Sequence, residues 1–240
     1  MKAYEIRAEA RNSLSGQWGK IILAMIIYII AVITLSFVLS LIPLIGMIVN
    51  YIISIPLSVG FTSILLNITK RENFSYFDFI NVAIELFGKS WGVVGHTLLK
   101  LWKPIVLYVL AIVITVVSVS FSTVSILSSN EPSIAGPIIS LLSSLCMIIA
   151  SIWMSVKGLL YSLSNLILVD NPHMTSKEVV EASAALMNGN RLKLIFLGLS
   201  FIGWYILAAF TLCIGFIWLI PYMAVSGVIF YLSLANKSEV

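Results

Sequence analysis

Six apolar runs, nearly free of charge, decide what this chain can fold into. They cover residues 21–41, 47–68, 105–127, 138–169, 194–212 and 216–234. A hydrocarbon core about 30 Å thick takes about 20 helical residues at about 1.5 Å each. In lipid, each backbone N–H and C=O must find a partner, and a helix does this within a single segment. Only 10% of the 240 residues are charged and 60% are hydrophobic, where a soluble domain carries about 25% charged residues. The chain reads as an all-α, polytopic membrane helical bundle: a single domain over residues 1–240 with six transmembrane helices. "PLIG" at 43–46 and "CIG" at 213–215 mark tight turns, and "SSNEPSIAGP" at 128–137 marks a polar break.

The basic residues set the expected orientation. All 14 Lys and Arg except Lys157 fall in the segments that share a side with the N-terminus. The segments on the other side hold no Lys or Arg, and their one charge is Glu131. Such an excess marks the cytoplasmic face, so both termini are expected in the cytoplasm of a cell whose plasma membrane holds the protein. Residues 1–20 show no small-residue cleavage site after the apolar run, so the first span is expected to be retained.

The polar segments carry helical periodicity of their own. Within 76–91, Phe77, Ile80, Ile84, Phe87 and Trp91 step by three and four along one face. Asp78, Asn81, Glu85 and Lys89 form the other face, with Ser75 and Asp78 as a capping box and Glu85–Lys89 as an i,i+4 pair. Within 2–18, Ile6, Ala10, Leu14 and Trp18 make a second stripe. Within 176–188, Thr175 and Glu178 open a third helix, and Gly189 is placed to close it. All three read as amphipathic helices at the cytoplasmic interface. Each runs into a span through a similar junction: "SLSGQWGK", "ELFGKSWG" and "ALMNGNRLK". Ile45-Gly46 to Pro56 also mirrors Ile214-Gly215 to Pro221. We read a weak internal repeat, an interfacial helix followed by a helical hairpin, of the kind seen in pseudo-symmetric transporters.

Catalytic and cofactor signatures are missing. The six runs contain no Asp or Glu, which intramembrane aspartyl chemistry and proton-coupled transport both need at depth. His96 and His173 lie in polar or interfacial stretches, so no serine at depth has a base. The sequence has no zinc-protease motif, phosphate loop or dinucleotide fingerprint. Cys146 and Cys213 sit in apolar runs and read as packing residues. The chain is therefore not expected to be an enzyme, nor to carry a cofactor, bind a metal or engage nucleic acid. Depth polarity gathers in the hydroxyls of the third and fourth runs. It reads as helix–helix packing, or as the lining of a cavity.

Lys157 is the one charge inside a run. The fourth run would be about 48 Å long as a single helix, longer than the core. Lys157 then falls near its cytoplasmic edge, where it snorkels to headgroups or binds an anionic group in a vestibule. On a continuous helix Tyr161 and Asn165, at i+4 and i+8, share its face. Arg191 and Lys193 can add positive potential. These five residues are the candidate ligand site.

The start "ARNSLSGQWGKIIL" and the end from Ser183 onward resemble a bacterial integral membrane family catalogued as domain of unknown function 975. The residues that carry the resemblance are Leu14, Gly16, Trp18, Ser183, Met187, Gly189, the run Ser200-Phe201-Ile202-Gly203-Trp204, Gly215, Pro221-Tyr222 and Phe230-Tyr231. Cys213 departs from it, standing where a small residue is expected. The resemblance implies a six-span membrane protein and no chemistry. Proteins similar in plan include the membrane part fused to some glycerophosphodiesterases, which hints at lipid handling. The expected function is non-catalytic binding of an amphiphile, either a lipid or a membrane-active peptide, or of a membrane partner. Its partners would be membrane lipids, a membrane protein or a hydrophobic peptide. The alternative is a transporter or permease for a small or amphiphilic solute.

The charge asymmetry is checked by labelling. In a background lacking Cys146 and Cys213, Asn130→Cys should react with a membrane-impermeant maleimide in intact cells. Ser13→Cys should react only after permeabilisation, and the opposite pattern would invert the topology.

Overall fold

The computed structural model describes residues 1–129 and 134–238, and all the regular structure in it is helical. The elements are α1 (Ala3–Leu14), α2 (Trp18–Ser40), α3 (Ile45–Lys70), α4 (Asp78–Glu85), α5 (Phe87–Ser129), α6 (Ala135–Gly158), a 3-10 turn (Leu159–Tyr161), α7 (Ser164–Asp170), α8 (Ser176–Met187), α9 (Arg191–Leu199), α10 (Ile202–Phe210) and α11 (Phe216–Ser238). Six stretches are long and apolar enough to cross a membrane: Trp18–Ser40, Ile45–Lys70, Phe87–Leu127, Ala135–Asp170, Arg191–Phe210 and Phe216–Asn236. The chain forms two units. One is residues 1–94 with the chain from Ser162 onward, and the other is residues 95–161. Glu131 and Pro132, part of the expected polar break, lie outside the described residues.

In the larger unit one device recurs three times: a short capped helix seated on a neighbouring helix. Helix α1 packs on α11, α4 on α3, and α8 on α7. The seats share a chemistry. At the start of each short helix a backbone N–H donates to a carboxylate three residues on: Lys2 to Glu5 at 2.8 Å, Ser75 to Asp78 at 2.6 Å, and Thr175 to Glu178 at 2.8 Å. These bonds hold the carboxyls of Glu5 and Glu178 below the usual glutamate range, because each stabilises the anion. One residue after the acid comes a large buried side chain: Ile6, Phe79 or Val179. Four residues after that comes a small buried one: Ala10, Ala83 or Ser183. The large residue fills the gap between helices and the small one lets the backbones approach.

Close approach is tightest at Gly60. A Cβ there would lie 1.9 Å from the Phe79 carbonyl oxygen, so α4 can seat on α3 only if this position is bare. The kinship of the first and last modules extends to their turns. Ser15 (φ −60, ψ 123) with Gly16 (φ 77) and Asn188 (φ −65, ψ 123) with Gly189 (φ 75) make the same type II bend, which needs positive φ at its second position. In the hairpins Leu44 (φ 62) and Cys213 (φ 68) each precede Ile-Gly. Gly46 then abuts Leu39, and Gly215 abuts Ala208.

Four expectations change. First, the apolar stripe of 76–91 is the exposed one: Phe77, Ile80, Ile84 and Phe87 face outward. Burial belongs to Phe79, Ala83 and Leu86, so α4 has a protein face and a lipid-compatible face. Second, the Glu85–Lys89 pair does not form among the described residues. The Lys89 ammonium donates instead to the Pro172 carbonyl. Third, the run 138–169 is not one helix. It stops at Gly158, turns through Leu159–Tyr161 and restarts at Ser164. A glycine in mid-helix costs about 1 kcal/mol. Fourth, the run 194–212 breaks at Ser200–Phe201, where the Ser200 hydroxyl bonds back to the Leu197 carbonyl at 2.6 Å, competing with the helical ladder.

Trp91 has a backbone task. Pro56 lacks an N–H, so the Ile52 carbonyl one turn earlier has no helical donor. The Trp91 indole N–H donates to it at 3.1 Å, meeting the demand that apolar surroundings impose.

The smaller unit is built on α6 and the part of α5 from Gly95. Some of its hydroxyls are used in helix packing. The Thr115 and Ser143 hydroxyls lie 2.7 Å apart, and Ser118 and Ser143 are buried. A Cβ at Gly136 would meet the Ser122 hydroxyl.

Gly60→Ala should therefore cost about 1–3 kcal/mol by overpacking, read as a lower Tm in detergent. Gly203→Ala, where a Cβ meets nothing within 4 Å, should be neutral or stabilising. Equal Tm for the two variants would contradict the α3–α4 seat.

Candidate functional site

Of the five residues singled out from the sequence, Lys157, Tyr161 and Asn165 are not on one continuous helix. Lys157 is on the last turn of α6, with its ammonium 5.1 Å from the centre of the Trp153 ring. Tyr161 closes the 3-10 turn, and Asn165 is exposed on α7. The break at Gly158 removes the i, i+4, i+8 alignment on which that grouping depended. The two units also part between Tyr161 and Ser162. Arg191 is half-buried at the start of α9. Lys193 is exposed, its ammonium donating to the Asn190 side chain at 2.7 Å.

A different site stands out in the larger unit. A cavity of about 340 Å³ lies where the start of α2, helix α10 and the first turns of α11 meet the last turn of α1. Three indoles line it: Trp18, Trp204 and Trp218. Leu207 and Thr211 add to the α10 wall, and Tyr222 closes the side toward α1. Trp204, Leu207 and Trp218 are about half exposed, so the cavity is a groove open to the apolar surface. Gly215 shapes it, because a Cβ there would press on Ala208.

One arginine of α1 stands at the groove and a second lies one turn away. Arg11 is part of its lining, and its guanidinium donates to the Tyr222 hydroxyl at 3.0 Å. That hydroxyl donates in turn to the Arg7 carbonyl at 3.1 Å. The Arg7 guanidinium donates to the Ser200 carbonyl at 2.9 Å, at the break between α9 and α10, and lies 5.9 Å from the centre of the Phe201 ring. Phe201 is buried and meets Tyr222 edge-on at 5.2 Å. The Nε of Arg7 is buried without a partner, and neither guanidinium has a carboxylate partner among the described residues.

Sequence reasoning counted Arg7 and Arg11 only as cytoplasmic charge. It did not connect them with Trp204 or Trp218, since nothing local in the sequence joins α1 to α10. A second polar cluster also went unforeseen. The carboxylate of Asp170, the last residue of α7, takes the Lys70 ammonium at 2.5 Å and the Tyr231 hydroxyl at 2.7 Å. It ties α7 to α3 and α11.

The chain matches a known family over nearly its whole length. A family model described as a protein of unknown function, DUF975, matches residues 1–238. No curated protein and no solved structure matches the chain. The match takes in all three short-helix modules and both walls of the groove, and the chain belongs to the DUF975 family.

Proposed function

We propose that this protein binds an amphiphile without transforming it, admitting the apolar chain sideways from the bilayer into the groove between α2, α10 and α11. The observation that carries this reading is the groove itself: three indoles and a leucine wall, open to the apolar surface, with a cation and a phenol at one end. Ligand sites are typically apolar concavities with a few placed polar groups. Indoles add large rigid apolar area at low entropic cost. The lining offers one hydroxyl, one phenol and one guanidinium, a set suited to holding a molecule.

The cell setting is part of the proposal. The basic asymmetry of the sequence supports a plasma-membrane protein with cytoplasmic termini. The permease alternative draws on the internal repeat and on the hydroxyls of α5 and α6. Those of Thr115 and Ser143 face each other, and Ser122, Ser144 and Ser151 donate to their own helix backbones. Ser144 and Ser151 also line a shallow cavity on α6 with Tyr108, which lacks the indole lining of the groove.

The reading is tested by adding a single-chain amphiphile with a brominated tail to purified protein and following tryptophan emission. Saturable quenching near one amphiphile per protein is expected. Trp204→Ala with Trp218→Ala should weaken it at least tenfold, as buried aromatic anchors do. Quenching that rises only in proportion to bulk amphiphile, alike in both proteins, would contradict it.

A further inference from the structure

We infer that the amphiphile carries an oxyanion head, a carboxylate or phosphate monoester, held by Arg11, with Arg7 one turn away adding positive potential. This rests on the groove reading above and names the chemical class that the groove accepts.

The first argument is donor supply. A guanidinium presents five N–H donors in a planar fork that fits carboxylate and phosphate oxygens. Arg7 and Arg11, at i and i+4, share a face of α1. Each makes one side-chain hydrogen bond, to the Ser200 carbonyl and the Tyr222 hydroxyl respectively. Donors remain on both, including the buried Nε of Arg7. A buried donor without an acceptor is costly, as the Arg7 Nε is, and the described residues offer neither the half-buried Arg7 nor the exposed Arg11 a carboxylate. A ligand oxyanion would supply the missing charge and acceptors.

The second argument is independent and comes from the three modules. Aligned on their capping acids (Glu5, Asp78, Glu178) and buried residues (Ile6, Phe79, Val179), the helices α1, α4 and α8 can be compared position by position. Where α1 has Arg7, the others have Ile80 and Val180. Where α1 has Arg11, they have Ile84 and Ala184. A short helix of this design seats without either cation. The arginines are therefore an addition to the module, and they occur in the copy that borders the indole groove.

The third argument is placement. Arg11 sits in the lining, with Trp18, Trp204 and Trp218 ahead of it and Tyr222 orienting its fork. An acyl or alkyl chain along the indoles puts its terminal oxyanion at that fork. The Arg7 guanidinium lies outside the lining, on the Ser200 carbonyl and beside the Phe201 ring, and adds positive potential from there.

The test uses three amphiphiles with one brominated tail and different heads: phosphate monoester, phosphocholine and trimethylammonium. Each is titrated against tryptophan emission of the full-length protein. The phosphate head should bind at least tenfold more tightly than phosphocholine. Arg7→Ile with Arg11→Ile, the residue that α4 carries at both positions, should abolish the preference, bringing the phosphate-head affinity down to that for phosphocholine. Arg11→Lys, which keeps the charge and loses the fork, gives the same readout if the double variant does not fold. It should retain only part of the preference. Equal affinity for all heads, with saturable quenching intact, would overturn the oxyanion assignment and leave the groove reading standing. Absence of saturable quenching with any head would overturn both. Inorganic phosphate alone should not raise the Tm. A rise equal to that given by the phosphate amphiphile would make this a free-anion site and overturn the assignment to an amphiphile head.

Discussion

The seating of a short capped helix on a neighbouring helix is the interaction on which the larger unit depends. Its elements are few: a carboxylate that takes the first backbone N–H, a large apolar side chain next to it, and a small side chain one turn on. In α1 these are Glu5, Ile6 and Ala10; in α4, Asp78, Phe79 and Ala83; in α8, Glu178, Val179 and Ser183. The carboxylate fixes where the helix starts, and so which residues face inward. The order of seats is cyclic: α4 sits on the helix before it, α8 likewise, and α1 closes the set by sitting on α11, the last helix. Docking the first helix on the last brings Arg7 and Arg11 to Tyr222, more than 200 residues away in sequence.

The groove follows from a second feature, the discontinuity of the chain at Ser200–Phe201. A continuous helix from Arg191 onward would have no unclaimed carbonyl at Ser200. The break exposes one, and Arg7 takes it. It also frees α10 to form a separate wall, anchored through buried Ala208 and the Tyr205–Phe216 ring contact at 5.8 Å. The rest of α10 turns its indole and leucine side chains toward the groove and the apolar surface. Structure thus places a cation, a phenol and three indoles together on elements whose own packing does not require the cation.

Much of the architecture was legible in the sequence, because the constraints involved act locally. The six apolar runs, the capping of α8 by Thr175 and Glu178, the turn at Gly189 and the likeness of the 45–46 and 214–215 hairpins follow from short-range chemistry. What escaped was long-range. The buried face of α4 could not be told from its exposed face, because both are apolar and only the bareness of Gly60 selects Phe79. The helix breaks at Gly158 and Ser200 were hidden by uniform hydrophobicity. The candidate site built on Lys157, Tyr161 and Asn165 assumed a continuous helix that Gly158 interrupts. Arg7 and Arg11 stand out only when α1 is laid over α4 and α8, a comparison that needs the capping carboxylates as its register.

The central claim is that an amphiphile occupies the groove walled by α2, α10 and α11. The most direct measurement is photo-crosslinking in membranes, with an amphiphile carrying a light-activated group midway along its chain and the adducts mapped by peptide mass spectrometry. The account predicts adducts concentrated on the peptides bearing Trp204, Leu207 and Trp218. Adducts spread in proportion to exposed apolar surface, with the lipid-facing residues of α5 and α6 labelled as heavily, would contradict it.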